Sequence, residues 1–273
     1  MPDDSANDNL RLLYILAHPD DEALALGGLL AKSAAEGVET YLVTATRGQM
    51  GWFGPPDENP GPEELGRIRE GELRAAAKVF GLREVTLLDY MDGELDKADQ
   101  VRLTRQFVGE IRRIRPHVVV AFDQFGVYGH PDHIAATRAA TAAVAAAADA
   151  TYEDSEGRAP HAVSKLYYYA FRKVVQEAFE VAFGELVMNI EGVERRSVTW
   201  PEWAITTWID TSAYWETVWE GIRCHRTQLP GYQKLLDLSE EYHQSLWGTV
   251  TLCRVFSLVP TPLHEDDVFA GLR

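Results

Sequence analysis

Between residues 10 and 171, short apolar runs alternate with stretches of helical periodicity, and no other property of the chain restricts its fold as much. The runs cover residues 10–17, 39–46, 85–90, 117–123 and 165–171. The first four are apolar at nearly every position rather than at alternate ones, the pattern of strands covered on both faces. Helical patterns fall between them, at 22–36, 63–80, 97–115 and from His130 through an alanine-rich run to 150. Gly37 and Gly81 stand where a helix end takes a left-handed residue. Such alternation builds βαβ units, and predicts an α/β fold with a Rossmann-like, mostly parallel sheet flanked by helices. At roughly 150 residues per domain the length allows one or two domains. The alternation weakens beyond about residue 172, a part that carries a group of five tryptophans (200, 203, 208, 215 and 219). No linker separates that part. A single domain over 1–273 is expected, with an N-terminal tail at 1–9 and a C-terminal elaboration at 172–273.

Charge narrows the partners. Against 26 Lys and Arg stand 42 Asp and Glu, a formal net charge of −16, which argues against nucleic acids and anionic membranes as partners. Cys224 and Cys253 are too few for a disulfide framework or a cysteine zinc site, and suit a reducing compartment. The acidic first nine residues lack the pattern of a signal peptide, and the alanine run at 139–150 is too short and too weakly apolar to span a bilayer. A cytoplasmic protein acting on a small molecule is expected, with homo-oligomerisation left open.

The strand ends carry the chemistry. In open α/β sheets ligands bind beyond the carboxyl ends of the strands. The first strand runs into His18-Pro19-Asp20-Asp21-Glu22, and the second into a Gly/Pro-rich loop with Arg47 and Gln49. The third runs into Asp89-Tyr90-Met91-Asp92, and the fourth into Asp123 and then Tyr128-Gly129-His130-Pro131-Asp132-His133. Either His-Pro-Asp cluster alone reads as a helix N-cap with favourable dipole charges. Two of them at topologically neighbouring strand ends read as a site. Imidazole and carboxylate are hydrolytic zinc ligands, and three of them leave one position open. His18 and Asp21 come from one turn, with a third ligand from the second cluster. Asp20 and His130 remain for proton work, and Asp132 is placed to orient His130 and favour its cation. Ferrous iron suits the same donors.

These two motifs resemble those of the PIG-L/LmbE-like zinc-dependent deacetylases. The segment Arg69-Glu70-Gly71-Glu72 and the late Cys224-His225-Arg226-Thr227-Gln228 are similar to further family segments, so the likeness runs from residue 10 to about 228. It implies zinc on His18, Asp21 and His133, with Asp20 as general base. It also implies that His130, backed by Asp132, serves the tetrahedral intermediate or the leaving amine, and that Tyr128 reaches the oxyanion. Arg69, Gln49, Asp92 and His225 are then expected on the substrate side. Gln49 stands where some members carry Glu. The implied substrate is an N-acetylglucosaminyl group, as in thiol-cofactor and glycosylphosphatidylinositol precursors or chitin fragments. A sister branch cleaves the larger amide of thiol S-conjugates.

Two other readings remain from the residues themselves. Asp89, Asp92 and Asp123 would supply the extra carboxylates of a two-metal phosphoesterase. A non-catalytic Rossmann-type binder is disfavoured, because no G-x-G-x-x-G follows the first strand. The loop at 48–62, with Trp52 and Phe53, reads equally as a lid over the site or as a self-packed loop.

Overall fold

The structure is a computed structural model describing residues 9–185, 187–190 and 192–273. The chain runs β1 (Arg11–Leu16), α1 (Asp21–Leu24), α2 (Gly27–Ala35), β2 (Glu39–Thr46), α3 (Pro62–Val79) and β3 (Glu84–Tyr90). It continues with α4 (Gln100–Ile114), β4 (Val118–Ala121), the single turn α5 (Gly126–Gly129), α6 (Pro131–Ala148) and β5 (Lys165–Tyr169). Beyond lie α7 (Lys173–Phe183), the hairpin β6 (Val187–Ile190) and β7 (Val193–Arg196), and β8 (Thr207–Asp210). The chain closes with α8 (Trp215–Cys224), α9 (Leu229–Leu236), α10 (Glu240–Trp247) and β9 (Thr249–Ser257).

Seven strands form one sheet in the order β3-β2-β1-β4-β5-β9-β8. The first five are parallel; β9 runs antiparallel to β5, and β8 antiparallel to β9. The α/β expectation therefore holds, and the segment beyond residue 172 adds two antiparallel strands to the same sheet. Continuous burial explains the apolar runs. Leu12, Tyr14 and Leu16 pack into one layer, and Leu13 and Ile15 into the other, because successive side chains point to opposite faces. β1 and β4 are neighbours, with Ile15 opposite Ala121, although a long stretch of chain separates them. The strand order reverses between them, the place where open α/β sheets form a crevice.

Two helices depart from the periodicity. The pattern over 22–36 is split into α1 and α2, and the glycines that open α2 sit in close contact with neighbouring segments. A Cβ on Gly28 would meet the Thr211 hydroxyl at 2.6 Å, and one on Gly27 the Phe80 ring at 3.0 Å. α4 begins at Gln100 rather than 97, since the Asp99 carboxylate caps it by accepting from the N–H groups of Val101 and Arg102. Trp219 stacks on both His243 and Trp247, so part of the tryptophan group is packing. Among the described residues no helix is long and apolar enough to cross a membrane.

Candidate active site

The turn after β1 is built by its own carboxylates. Asp21 accepts from the N–H groups of Ala17 and His18, and Glu22 accepts from the N–H of Asp20. Asp20 adopts φ 104°, a left-handed conformation uncommon outside glycine. Across the crevice, His130 caps α6: its Nδ1 accepts from the Asp132 N–H at 3.2 Å, and Pro131 fills the first helical position. The second turn thereby faces the first.

Three donor atoms converge. His18 Nδ1 lies 3.2 Å from His133 Nε2 and 3.7 Å from the Asp21 carboxylate, and His133 Nε2 lies 3.3 Å from Asp21. A tetrahedral zinc with bonds of 2.0–2.1 Å holds its ligands roughly 3.4 Å apart. Two ring nitrogens aimed at one another beside a carboxylate fit a shared divalent cation. The opposite edge of His18 is anchored, with Nε2 3.0 Å from Asp92 and 3.1 Å from Asp132. A proton on Nε2 leaves the Nδ1 lone pair facing the triangle.

Asp132 corrects the sequence reading. Its carboxylate accepts from the N–H groups of Gly93 and Leu95 and meets His18, whereas its link to His130 is made by its backbone. It is fully buried and orients His18, not the His130 ring. His130 is not favoured as a cation either. Burial first, and then the His133 and His18 rings, lower its pKa to about 3, so the ring is neutral. With Nδ1 accepting, its proton sits on Nε2.

Asp20 stands beside the triangle. Its Oδ2 accepts from Arg69 at 3.2 Å and from the Tyr232 hydroxyl at 2.7 Å. Burial raises its proton affinity, outweighing the Arg69 charge, and Asp21 adds to the rise. Arg69 is almost wholly buried and donates to the carbonyls of Gly48 and Pro19 as well. Gly48, at φ 65°, admits it: a Cβ there would lie 2.1 Å from the guanidinium. Burial raises the Asp92 pKa, but the His18 hydrogen bond and charge overcome this and lower it to about 2.

These groups line one cavity of about 550 Å³. His18, Asp20, Asp21, Arg69, Asp92, Tyr128, His130 and His133 all reach it. Two expected substrate contacts do not. Gln49 faces a separate groove, where its amide donates to the Tyr90 carbonyl and its oxygen accepts from the N–H groups of Arg47 and Asp92. His225 is fully buried behind the first turn, its Nε2 2.7 Å from Glu22. Nor do the carboxylates of a two-metal site gather, because Asp89 pairs with Arg47 at the surface and Asp123 turns to Trp200. In the loop at 48–62, Phe53 lines the cavity while Trp52 bonds back to Pro55. Glu22, Tyr232 and Gln228 were not singled out from sequence. Glu22 reads as a dipole charge and Tyr232 follows no motif, whereas Gln228 closes the late segment and carried a usable signal.

Comparison with known proteins identifies relatives along most of the chain. The family described as PIG-L: GlcNAc-PI de-N-acetylase matches residues 13–144. A "1D-myo-inositol 2-acetamido-2-deoxy-alpha-D-glucopyranoside deacetylase" of Streptomyces griseus is 35% identical over 300 residues, covering 96% of this chain and 89% of that protein. A protein of the same name from Rhodococcus jostii is 34% identical, covering 80% of this chain and 82% of its own. Among solved structures, a conserved protein of Thermus thermophilus superposes with a TM-score of 0.65 at 26% identity, over 93% of this chain and 98% of that one. The N,N'-diacetylchitobiose deacetylase of Pyrococcus horikoshii shares the fold, with a TM-score of 0.65 at 22% identity over 91% of this chain and 84% of that one. With 35% identity to the Streptomyces protein over 96% of its own length and the family match over residues 13–144, this chain belongs to the family described as PIG-L: GlcNAc-PI de-N-acetylase.

Proposed function

We propose that the protein is a zinc-dependent N-deacetylase that hydrolyses the amide of an N-acetylglucosaminyl substrate to acetate and the free amine. The observation that carries this reading is the triangle of His18 Nδ1, Asp21 and His133 Nε2 beside a buried carboxylate, Asp20. The relatives' names supply the substrate class. His18, Asp21 and His133 would hold the zinc. When bound, zinc polarises a carbonyl as a Lewis acid and brings the pKa of water to about 7.

The chain's own groups do the rest. Asp20, whose proton affinity is raised by burial, takes a proton from the attacking water at its carboxylate, and Arg69 and Tyr232 hold it in place. Tyr128 keeps its phenolic proton, since burial raises its pKa well above the usual value, and is placed to donate it to the developing oxyanion. Neutral His130 keeps its Nε2 proton and offers it as a hydrogen bond to the reacting amide. Asp20 passes the proton it took from water to the departing nitrogen, so that water and amide yield acid and amine. The two free thiols agree with a reducing cytoplasm.

The test is acetate release from N-acetylglucosaminides by zinc-reconstituted protein, before and after chelation. Release that stops on chelation and returns with zinc is expected. Zinc-loaded protein that frees no acetate from a broad panel overturns the reading.

A further inference from the structure

The reacting groups occupy only part of the cavity lining. Much of the remainder is apolar: Leu24, Ala25, Val127, Tyr169, Phe171 and Phe179. Tyr169, Phe171 and Phe179 form a continuous aromatic strip from the end of β5 into α7, with ring centroids 6.3 and 6.4 Å apart. At the mouth, Met50 is 62% exposed and Phe53 is 52% exposed. Phe53 lies 6.4 Å from the Tyr232 ring. Two large apolar side chains left open to water at a cavity mouth are suited to an apolar ligand group.

Most of the polar side chains of the lining bond within the protein, the buried and unpartnered Arg69 Nε excepted. Arg69 is taken by Gly48, Pro19 and Asp20, and Asp92 by His18 and the Met50 N–H. Gln228 donates to the Gly51 carbonyl, and the Tyr232 hydroxyl to Asp20. The Streptomyces and Rhodococcus relatives are named for an inositol glycoside, whose aglycone is a ring of hydroxyls. Such a ring buried against this wall would give up more hydrogen bonds to water than it regains. An aromatic group there loses little polar hydration and gains apolar contact.

We infer that this protein's substrate carries an aromatic aglycone in place of inositol, bound by the strip Tyr169-Phe171-Phe179 with Phe53 at the rim. The inference rests on the deacetylase reading for the amino sugar but names a feature that the relatives' names lack. The groups that discriminate come from the end of β5, α7 and the loop at 48–62, not from the metal triangle.

The test compares phenyl, methyl and inositol N-acetylglucosaminides with the zinc-reconstituted protein. The phenyl glycoside should have a kcat/KM at least about tenfold above the methyl glycoside, the scale of apolar discrimination in a pocket. Phe53→Ser and Phe179→Ser should each pull that ratio towards one, and the exposed Phe53 keeps the test clear of a folding defect. A preference below about threefold, or faster turnover of the inositol glycoside, overturns the inference. So does a preference that appears only when the aromatic group is on the acyl side, as in an N-benzoyl substrate. Calorimetry with the same glycosides reads the subsite without turnover. Tighter phenyl binding lost in Phe179→Ser supports it even when no acetate is released, a result that overturns the deacetylase reading alone. Equal binding of phenyl and methyl glycosides overturns the subsite.

Discussion

His225 Nε2 lies 2.7 Å from Glu22 Oε1, with both side chains wholly buried, and the other Glu22 oxygen accepts from the Asp20 N–H at 2.9 Å. The late histidine thus reaches the proposed base through one glutamate. Asp20 sits at φ 104°, a conformation that surrounding structure must enforce. Removing one partner of a buried pair costs about 3–5 kcal/mol, because the other charge is stranded. His225→Ala should therefore lower the melting temperature, and should lower kcat per folded molecule with little change in KM. Unchanged turnover in the folded fraction would show that the pair stabilises the turn without positioning Asp20.

Val127 carries a second strained turn. At φ 63° and ψ −71° it occupies the unfavourable hand of a γ-turn, rare for a β-branched residue. Asp123 enforces this by accepting from the N–H groups of Phe125 and Val127, and the Trp200 indole donates to its other oxygen at 2.7 Å. The turn presents Tyr128 to the cavity. Val127→Gly should relieve strain of about 1–3 kcal/mol, offset in part by glycine's larger entropy loss on folding. It should raise stability in chemical denaturation while lowering kcat. A variant that is both more stable and fully active would mean that Tyr128 does not depend on the strained turn.

Both His-Pro-Asp motifs were legible because each is contiguous and its proline marks a strand-to-helix transition. Their meeting was legible only through topology, since nothing local near Ile15 names Ala121 as its neighbour. Roles assigned by sequence proximity fared worse. Asp132 precedes His133 and follows His130 closely, yet α6 turns its carboxylate to His18. Gln49 lies beside the right strand end, but its side chain bridges to the Tyr90 carbonyl instead of the cavity. Tyr232 could not be read at all, because its hydroxyl reaches Asp20 through the packing of α9, which follows no local pattern.

His161 is a structural histidine with a pH signature. Its Nε2 donates to the Pro116 carbonyl at 2.8 Å. Burial first, then the neighbouring Arg115, His117 and Arg11, hold its pKa below 6.5, while the Pro116 bond opposes the shift. The unfolded chain therefore takes up this proton before the folded one. The histidine's contribution to stability is complete above about pH 6.5 and is lost as pH falls through the depressed folded value. Urea titrations at about pH 7.5 and 5.5 should show a loss on acidification that is smaller in His161→Gln. Equal losses in the two proteins would remove His161 as a cause.

Asp132 offers the sharpest separation of metal holding from chemistry. Its carboxylate meets His18 Nε2 at 3.1 Å and is itself fixed by the N–H groups of Gly93 and Leu95 at 2.7 and 3.0 Å. An asparagine keeps the volume but loses one acceptor, so His18 and the Gly93 N–H can no longer share the site. Carboxylates that orient a metal-binding histidine typically change metal affinity by about 10–100-fold when removed. Asp132→Asn should weaken zinc in a chelator competition by that factor, and saturating zinc should restore most of kcat, since Asp20, Tyr128 and His130 stay in place. Wild-type affinity with a permanently low kcat would instead move Asp132 from holding His18 to the chemical step, through its backbone bond to His130.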